Sequence, residues 1–308
     1  MLDLLATGYP SLDHIVPVSR VPMAGETALL HAPLRSQTGS FGGCGANVAV
    51  GLKKLGFSTG VAMVLGADPE GDTYRRYLTE QGIVCDNLIQ LDGERTSASY
   101  LFRAPDGECV NFFYPGAADA WTGTLSLEGL NNVRHGLVTV GCALYNRAFV
   151  DLIAAHDIPL IWQLKADTAA YPRTVLQQFA RLSRVIFCNV METQFLLSAL
   201  GLDDIRALLA QGVETIVLTA GSEGSRIFTR EGDVQVPIVP ATVVDTTGAG
   251  DAYTAGFLAG SWLGYDPLVC GRLGATCAAF AVEGVGCQSN LPDWERLVLR
   301  YRKNFGVL

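Results

Sequence analysis

Short apolar runs alternate with stretches of helical periodicity along most of this chain. Residues 2–7, 60–65, 137–141, 158–162, 185–187 and 215–218 are brief and almost continuously apolar, as strands buried on both faces are. Residues 46–55, 69–81, 146–155, 172–180, 192–200, 205–210, 249–262, 266–282 and 293–302 read as helices. Strands that alternate with helices predict βαβ units. The expected fold class is therefore α/β, three layers with helices on both faces of a mainly parallel central sheet. Two segments break the rhythm. Residues 14–40 and 95–113 lack helical periodicity and resemble strand pairs, with turns near 21–25 and at 105–107. They predict a small β-sheet projecting from the main one. A further hairpin is expected over 225–236, turning at 231–233. No repeat, low-complexity tract or linker interrupts the chain, so residues 1–308 are expected to form one domain.

Composition narrows the function classes. Charged residues are 17% of the chain against 49% hydrophobic ones, so much of it must be buried. The formal net charge of −8, without a run of Lys or Arg, argues against a nucleic-acid partner. It leaves a phosphorylated small molecule open, because backbone amides bind phosphate even in an acidic protein. The eight cysteines form no CxxC pair and the four histidines do not cluster. That spacing does not suit zinc and predicts reduced thiols in a cytoplasmic protein. The N-terminus lacks the features of a signal peptide, and no stretch of about 18 apolar residues predicts a membrane span.

The segment VVDTTGAGDAYTAGFLAG, residues 243–260, carries the densest chemistry. A strand-like run ends at Asp245, glycines follow at Gly248 and Gly250, and a helix begins. The first amides of a helix lack partners within it and lie at the positive end of its dipole, so this turn predicts an anion site. Glycine at both positions lets a phosphate approach the backbone with no Cβ in the way. Asp251 opens the helix. On spacing alone it is either a capping aspartate or a carboxylate placed to take a proton from an attacking hydroxyl. A P-loop is excluded, because no Lys follows these glycines. The other glycine cluster, GGCG at 42–45, follows the irregular first insert and not the first strand, which excludes a dinucleotide fingerprint.

The whole of DTTGAGD, 245–251, followed by Ala252-x-x-Ala255-Gly256, resembles the C-terminal signature of the ribokinase-like (PfkB-type) carbohydrate kinases. About 200 residues upstream, FGGCGANVAVGLKKLG (41–56) resembles the family's N-terminal glycine-glycine motif, with Asn47 at its Asn. Minor pieces fall in family order: Gly8 with Asp13, Gly66 with Asp68 and Gly71, Asn189 with Glu192, and Thr219 with Gly221. The resemblance covers nearly the full length and implies a ribokinase-like fold with ATP-dependent phosphotransfer. It makes Asp251 the general base and the Gly248–Asp251 loop the anion hole, through the amides of Ala249, Gly250 and Asp251. It places Asn189 and Glu192 near Mg2+, the latter through water; taken alone, the same pair is a helix-start Asn with a dipole-compensating Glu. Thr219, Gly221 and Gly224 would contact the nucleotide. Its adenine would lie between that loop and the helix 266–282, where Ala275 replaces a family Asn. Asp13, Gly42, Gly43 and Asn47 would bind substrate hydroxyls. Cys44 replaces a frequent Lys and is read as packing. Asp245 and Thr247, with carbonyls of 282–287, correspond to a monovalent-cation (K+) site of some members. The two inserts, 14–40 and 95–113, match the family's lid, through which a homodimer is expected.

The acceptor is read from fewer residues. GECVNFFYPGAADAW, 107–121, is similar to fructokinase-like members and to bacterial nucleoside kinases, which hold a base with apolar and aromatic residues. The other reading of Phe112, Phe113 and Tyr114 is lid core. In IWQLKAD, 161–167, Gln163 and Lys165 replace the Asp-Pro-Asn or Asn-Pro of many hexose kinases. Lys165 either offers charge to substrate or phosphate or is solvated. Leu144 stands where ribokinase itself would carry an acid. The expectation is phosphorylation of a hydroxymethyl group of a sugar, with a nucleoside as the alternative. A non-catalytic sugar- or nucleotide-binding regulator would be suggested by loss of Asp251, Gly250 or Glu192, and all three are present.

Overall fold

The computed structural model describes residues 1–30, 39–105 and 108–308. Its larger sheet runs, edge to edge, through β13 (Gly232–Val236), β12 (Ser225–Thr229), β11 (Thr215–Thr219), β10 (Ser183–Asn189), β9 (Leu160–Gln163), β8 (Gly136–Val138), β1 (Leu4–Thr7), β4 (Thr59–Gly66) and β5 (Val84–Leu91). The strands from β11 to β5 are parallel, and the β12–β13 hairpin is antiparallel. A separate sheet orders β3 (Ser40–Gly42), β2 (Ser11–Pro17), β6 (Ala98–Arg103) and β7 (Cys109–Tyr114). The two irregular inserts thus pair with each other, β2 beside β6 in parallel.

Each parallel strand feeds two cores, because successive side chains leave a strand on opposite faces. Leu4, Ala6, Val61, Met63 and Leu65 meet α1 (Cys44–Lys54), α2 (Pro69–Glu80), α7 (Ala249–Trp262), α8 (Pro267–Ala281) and α9 (Trp294–Phe305). Leu5, Ala62, Val64, Leu160 and Trp162 meet α3 (Ala117–Ala120), α4 (Ala143–Ala155), α5 (Arg173–Leu182) and α6 (Val190–Leu200). Burial on both faces is why these strands read as unbroken apolar runs. The small residues of α7 serve close packing. A Cβ at Gly256 would lie 2.6 Å from Leu273 O on α8, and one on Gly51 of α1 would lie 2.8 Å from Ala255 Cβ. This holds the start of α7 rigidly against α1.

The chain leaves β1 between β4 on one side and β8 on the other, so the order reverses there. Ligands of open α/β sheets bind at such a point, beyond the carboxyl ends of the strands. Tyr9, Gln163, Asn189 and Thr219 all lie at those ends.

Four local expectations are corrected. Strand β5 was not expected; it is a sheet edge carrying Asp86, Asn87 and Gln90, which hides its apolar pattern. Residues 205–210 form a 3-10 helix, Ile205–Gln211, not an α-helix. No strand runs to Asp245: Val243 and Val244 are exposed, and the amides of Val244 and Asp245 both donate to Val282 O (2.8 and 3.1 Å). The late hairpin turns at Arg230 and Glu231, one residue before the expected place, because Gly232 already pairs with Thr229. Asp13 lies within β2 of the small sheet, past a short link from β1. The turn at 105–107 falls partly on residues outside those described.

Candidate active site

Asp251 is the third residue of α7 and is only 5% exposed. Gly248 precedes the helix in the left-handed conformation, φ +78°, and a Cβ there would lie 2.8 Å from Cys287. No side chain caps this helix, so Asp251 is not a capping aspartate. Its carboxylate instead accepts Asn47 Nδ2 at 2.6 Å on Oδ2 and Gln163 Nε2 on Oδ1. Asn47 is itself fixed: its Oδ1 accepts Gln288 Nε2 at 2.7 Å, and Gln288 Oε1 accepts the Tyr77 hydroxyl at 2.5 Å. Burial pushes the Asp251 carboxyl above the usual carboxylate range, while Lys165, Asn47, Gln163 and Cys44 pull the other way. A carboxylate held by neutral amides, with a raised pKa, suits proton acceptance.

Ala252 N–H donates to Gly248 O at 2.9 Å. Ahead of it, the amides of Gly250 and Asp251 occupy the first turn, where helical acceptors are lacking. Ala249 N–H is directed at Thr246 O, 3.3 Å away, so it is the least available of the three amides expected in the anion hole. A Cβ at Gly250 would meet nothing within 4 Å. That open space belongs to a cavity of about 620 Å³ which also brings together Asp13, Gly43, Asn47, Asn189, Glu192, Thr219, Gly221 and Thr247. Two buried polar atoms of its lining, Gln163 Oε1 and Thr254 Oγ1, have no hydrogen-bond partner among the described residues.

Asp13 is buried opposite this turn. Ser11 Oγ donates to its Oδ1 at 2.5 Å and Cys287 Sγ to its Oδ2 at 3.8 Å, and burial raises its pKa. Gly42 does not line the cavity. A Cβ there would collide with the Asp13 carboxylate, so the first glycine of the pair makes room for Asp13 itself. Gly43, at φ +93°, leaves no space for a Cβ beside Tyr9 O. Cys44 is pushed up by burial and by Asp251, which leaves a thiol with no nucleophilic character.

Asn189 and Glu192 form a capping box on α6: Glu192 N–H donates to Asn189 Oδ1 (2.9 Å) and Asn189 N–H to Glu192 Oε2 (2.8 Å). The helix-start reading of this pair is therefore correct, and it leaves Oε1 toward the cavity, 3.6 Å from Lys165 Nζ. Lys165 is half-exposed, and Cys44, Glu192 and Asp251 around it raise its pKa. Asp245 lies behind the turn. Arg103 Nη2, from β6 of the small sheet, donates to its Oδ1 at 2.7 Å.

A second cavity, about 410 Å³, shares Thr219, Gly221, Thr246, Ala249 and Gly250 with the first and continues past Gly224 to Ala275, Ala278 and Val282. Gly224 is required by its hairpin, since a Cβ would collide with Val236 O. Ala275 places a methyl where the resemblance led to an Asn, so this cavity is walled by small apolar side chains. The participation of Gln288, Tyr77 and Arg103 was not evident from sequence. They act from distant segments, and nothing in their local pattern marks them.

Residues 8–294 match the model of the pfkB family of carbohydrate kinases. The chain is 30% identical to the nucleoside kinase of Methanocaldococcus jannaschii, over 99% of this chain and 98% of that one. It is 29% identical to the nucleoside kinase of Methanothermobacter thermautotrophicus, over 99% and 97%. The crystal structure of the M. jannaschii nucleoside kinase, an archaeal member of the ribokinase family, superposes with a TM-score of 0.86 at 29% identity, covering 98% of this chain and 99% of that one.

Proposed function

The chain belongs to the pfkB family of carbohydrate kinases and is an ATP-dependent kinase, and from that premise we propose that it phosphorylates the hydroxymethyl group of a nucleoside. The observation that carries the choice is the wall beyond Asp13. There Tyr9, Leu101 and Phe113 face the cavity together with Asn111, and the rings of Tyr9 and Phe113 lie 4.9 Å apart. Free sugars are held by hydroxyl-binding groups; apolar and aromatic faces with one amide fit a planar base. Relatives named as nucleoside kinases point the same way. Phe112 and Tyr114, largely exposed, are not lid core.

In this reading Asp13 and Asn47 hold the sugar hydroxyls. The hydroxymethyl proton passes to Asp251 as its oxygen forms a bond to the γ-phosphorus, and the bond to the ADP oxygen breaks. The amides of Gly250 and Asp251 receive charge on the transferred group, and Gly248 sets the turn that presents them. Thr219, Gly221 and Gly224 contact the donor nucleotide, with its base in the second cavity. Glu192 and Asn189 would hold Mg2+ through water, and the ion would supply charge neutralisation at the phosphates. Glu192 Oε1 fits that task because the capping box does not use it. The small sheet of β3, β2, β6 and β7 serves as a lid over the acceptor, the expected lid segment 14–40 lying partly outside the described residues. Its outer strand β7 exposes Phe112 and Tyr114, the face on which a second copy would pair. Residues 1–308 act as one kinase domain. No helix among the described residues is long and apolar enough to cross a membrane. The eight cysteines are free thiols, as a reducing cytoplasmic site of action would keep them.

The test is MgATP turnover against ribose, fructose and a set of purine and pyrimidine nucleosides. A nucleoside should give the highest kcat/KM, and Phe113→Ala should raise KM for it far more than for a free sugar. Higher kcat/KM with a free sugar than with every nucleoside would overturn the choice.

A further inference from the structure

The turn that precedes Asp251 carries its own fixed cation. Asp245 has a fully buried side chain, and four donors surround its carboxylate. Oδ1 accepts Arg103 Nη2 (2.7 Å), Thr247 Oγ1 (2.7 Å) and Thr247 N–H (3.0 Å), and Oδ2 accepts Gly286 N–H (2.9 Å). Three donors crowd Oδ1 and one holds Oδ2, so at most one lone-pair site, on Oδ2, is left, and the Arg103 guanidinium already fills the space beside Oδ1. The neighbouring carbonyl of Val282 is also saturated, by the amides of Val244 and Asp245. A monovalent cation at Asp245, Thr247 and the 282–287 loop would need these oxygens. The residues present do not fit it.

We propose that the Arg103 guanidinium takes the place of a monovalent cation behind the phosphoryl site, so that turnover is independent of K+ and depends on the small sheet that delivers Arg103. The proposal rests on the kinase reading. Arg103 acts as a positioning residue. Through Asp245 it ties β6 to the Thr247–Gly248 turn and to the Gly286–Cys287 loop, whose Cys287 packs against Gly248. These are the two loops that frame the anion site. A guanidinium is always charged and cannot diffuse away, so the turn keeps its geometry at any K+ concentration. Delivery from the small sheet also makes that geometry sensitive to the position of β6.

The experiment compares initial rates at equal ionic strength in KCl, NaCl and tetramethylammonium chloride, for the wild type and for Arg103→Ala. Melting temperatures are measured in the same salts without nucleotide. The wild type should turn over within about twofold in all three salts. Arg103→Ala should lose at least about tenfold in kcat in tetramethylammonium, roughly the factor that 1.4 kcal/mol represents. K+ or guanidinium at millimolar concentration should restore most of that loss and raise the variant's melting temperature. Strong stimulation of the wild type by K+ overturns the proposal. So does an Arg103→Ala enzyme that keeps full activity, or one that loses activity with no response to either cation, as expected if Arg103 bound ATP phosphate instead. If Arg103→Ala does not fold, Arg103→Lys decides the matter with the wild type: it keeps a charge and should remain K+-independent. No turnover with any acceptor in any salt counts against the kinase reading alone, since the melting temperatures still report whether Asp245 takes a cation.

Discussion

Replacing Asn47 by Ala removes the hydrogen bond that favours the ionised form of Asp251, along with the contact to the sugar hydroxyls, and the pH profile separates the two. Asn47 Nδ2 lies 2.6 Å from Asp251 Oδ2, and both residues are buried. A hydrogen bond to a charged group contributes about 1.5–3 kcal/mol, and one pKa unit is 1.36 kcal/mol. Its loss should therefore raise the Asp251 pKa further, beyond the rise that burial already causes. The sign follows from the role. A base works when deprotonated, so activity falls as pH drops through the folded pKa, and a higher pKa moves that fall to higher pH. The acidic limb of kcat/KM, measured from pH 5 to 9, should shift upward by about one to two pH units. A second consequence is separable, because Gln288 Nε2 loses the acceptor it now has at 2.7 Å. A buried unsatisfied donor costs about 1–3 kcal/mol. For a chain of this size that lowers the melting temperature by a few degrees, roughly 2–4 °C per kcal/mol. If kcat/KM fell evenly across pH with the limb unmoved, Asn47 would be a substrate ligand only, and Asp251 would not be the group whose ionisation limits the rate.

Two further variants probe the phosphate side. Gly250→Ala adds a methyl where nothing lies within 4 Å, so folding should be unaffected or stabilised by about 0.5–1 kcal/mol, while kcat drops because the methyl enters the anion space. Melting temperature and kcat, measured side by side, check both halves. Glu192→Gln keeps a group able to cap Asn189 N–H but removes the charge facing the cavity. The Mg2+ concentration for half-maximal rate should rise by about 10-fold or more, at little cost in melting temperature.

The sheet was legible because strands such as 60–65 are buried on both faces and carry no polar residue to blur the run, as Val61 to Leu65 illustrate. Strand β5 was not, since an edge strand satisfies solvent as well as core. The helix over 249–262 was read to the residue, because a glycine turn and a run of small residues mark both its start and its packing. The same reading could not separate a cap from a base at Asp251. That distinction depends on Asn47 and Gln163, which lie 204 and 88 positions away along the chain and meet Asp251 only through the sheet order. Gly42 was read as space for a ligand and is space for Asp13. Arg103 looked like one more strand residue, and its partner 142 positions away could not be inferred from local pattern.

The most direct measurement is a single-turnover phosphorylation by Asp251→Asn at saturating MgATP and nucleoside. Proton acceptance by a positioned side chain contributes about 10²–10⁴ in rate, and the variant should lose that much. ATP binding should be retained. Because burial raises the Asp251 pKa, the ionised carboxylate costs the fold stability above that pKa, and the Asn variant should hold its melting temperature at pH 8. A folded Asp251→Asn enzyme that transfers phosphate near the wild-type rate would contradict the account.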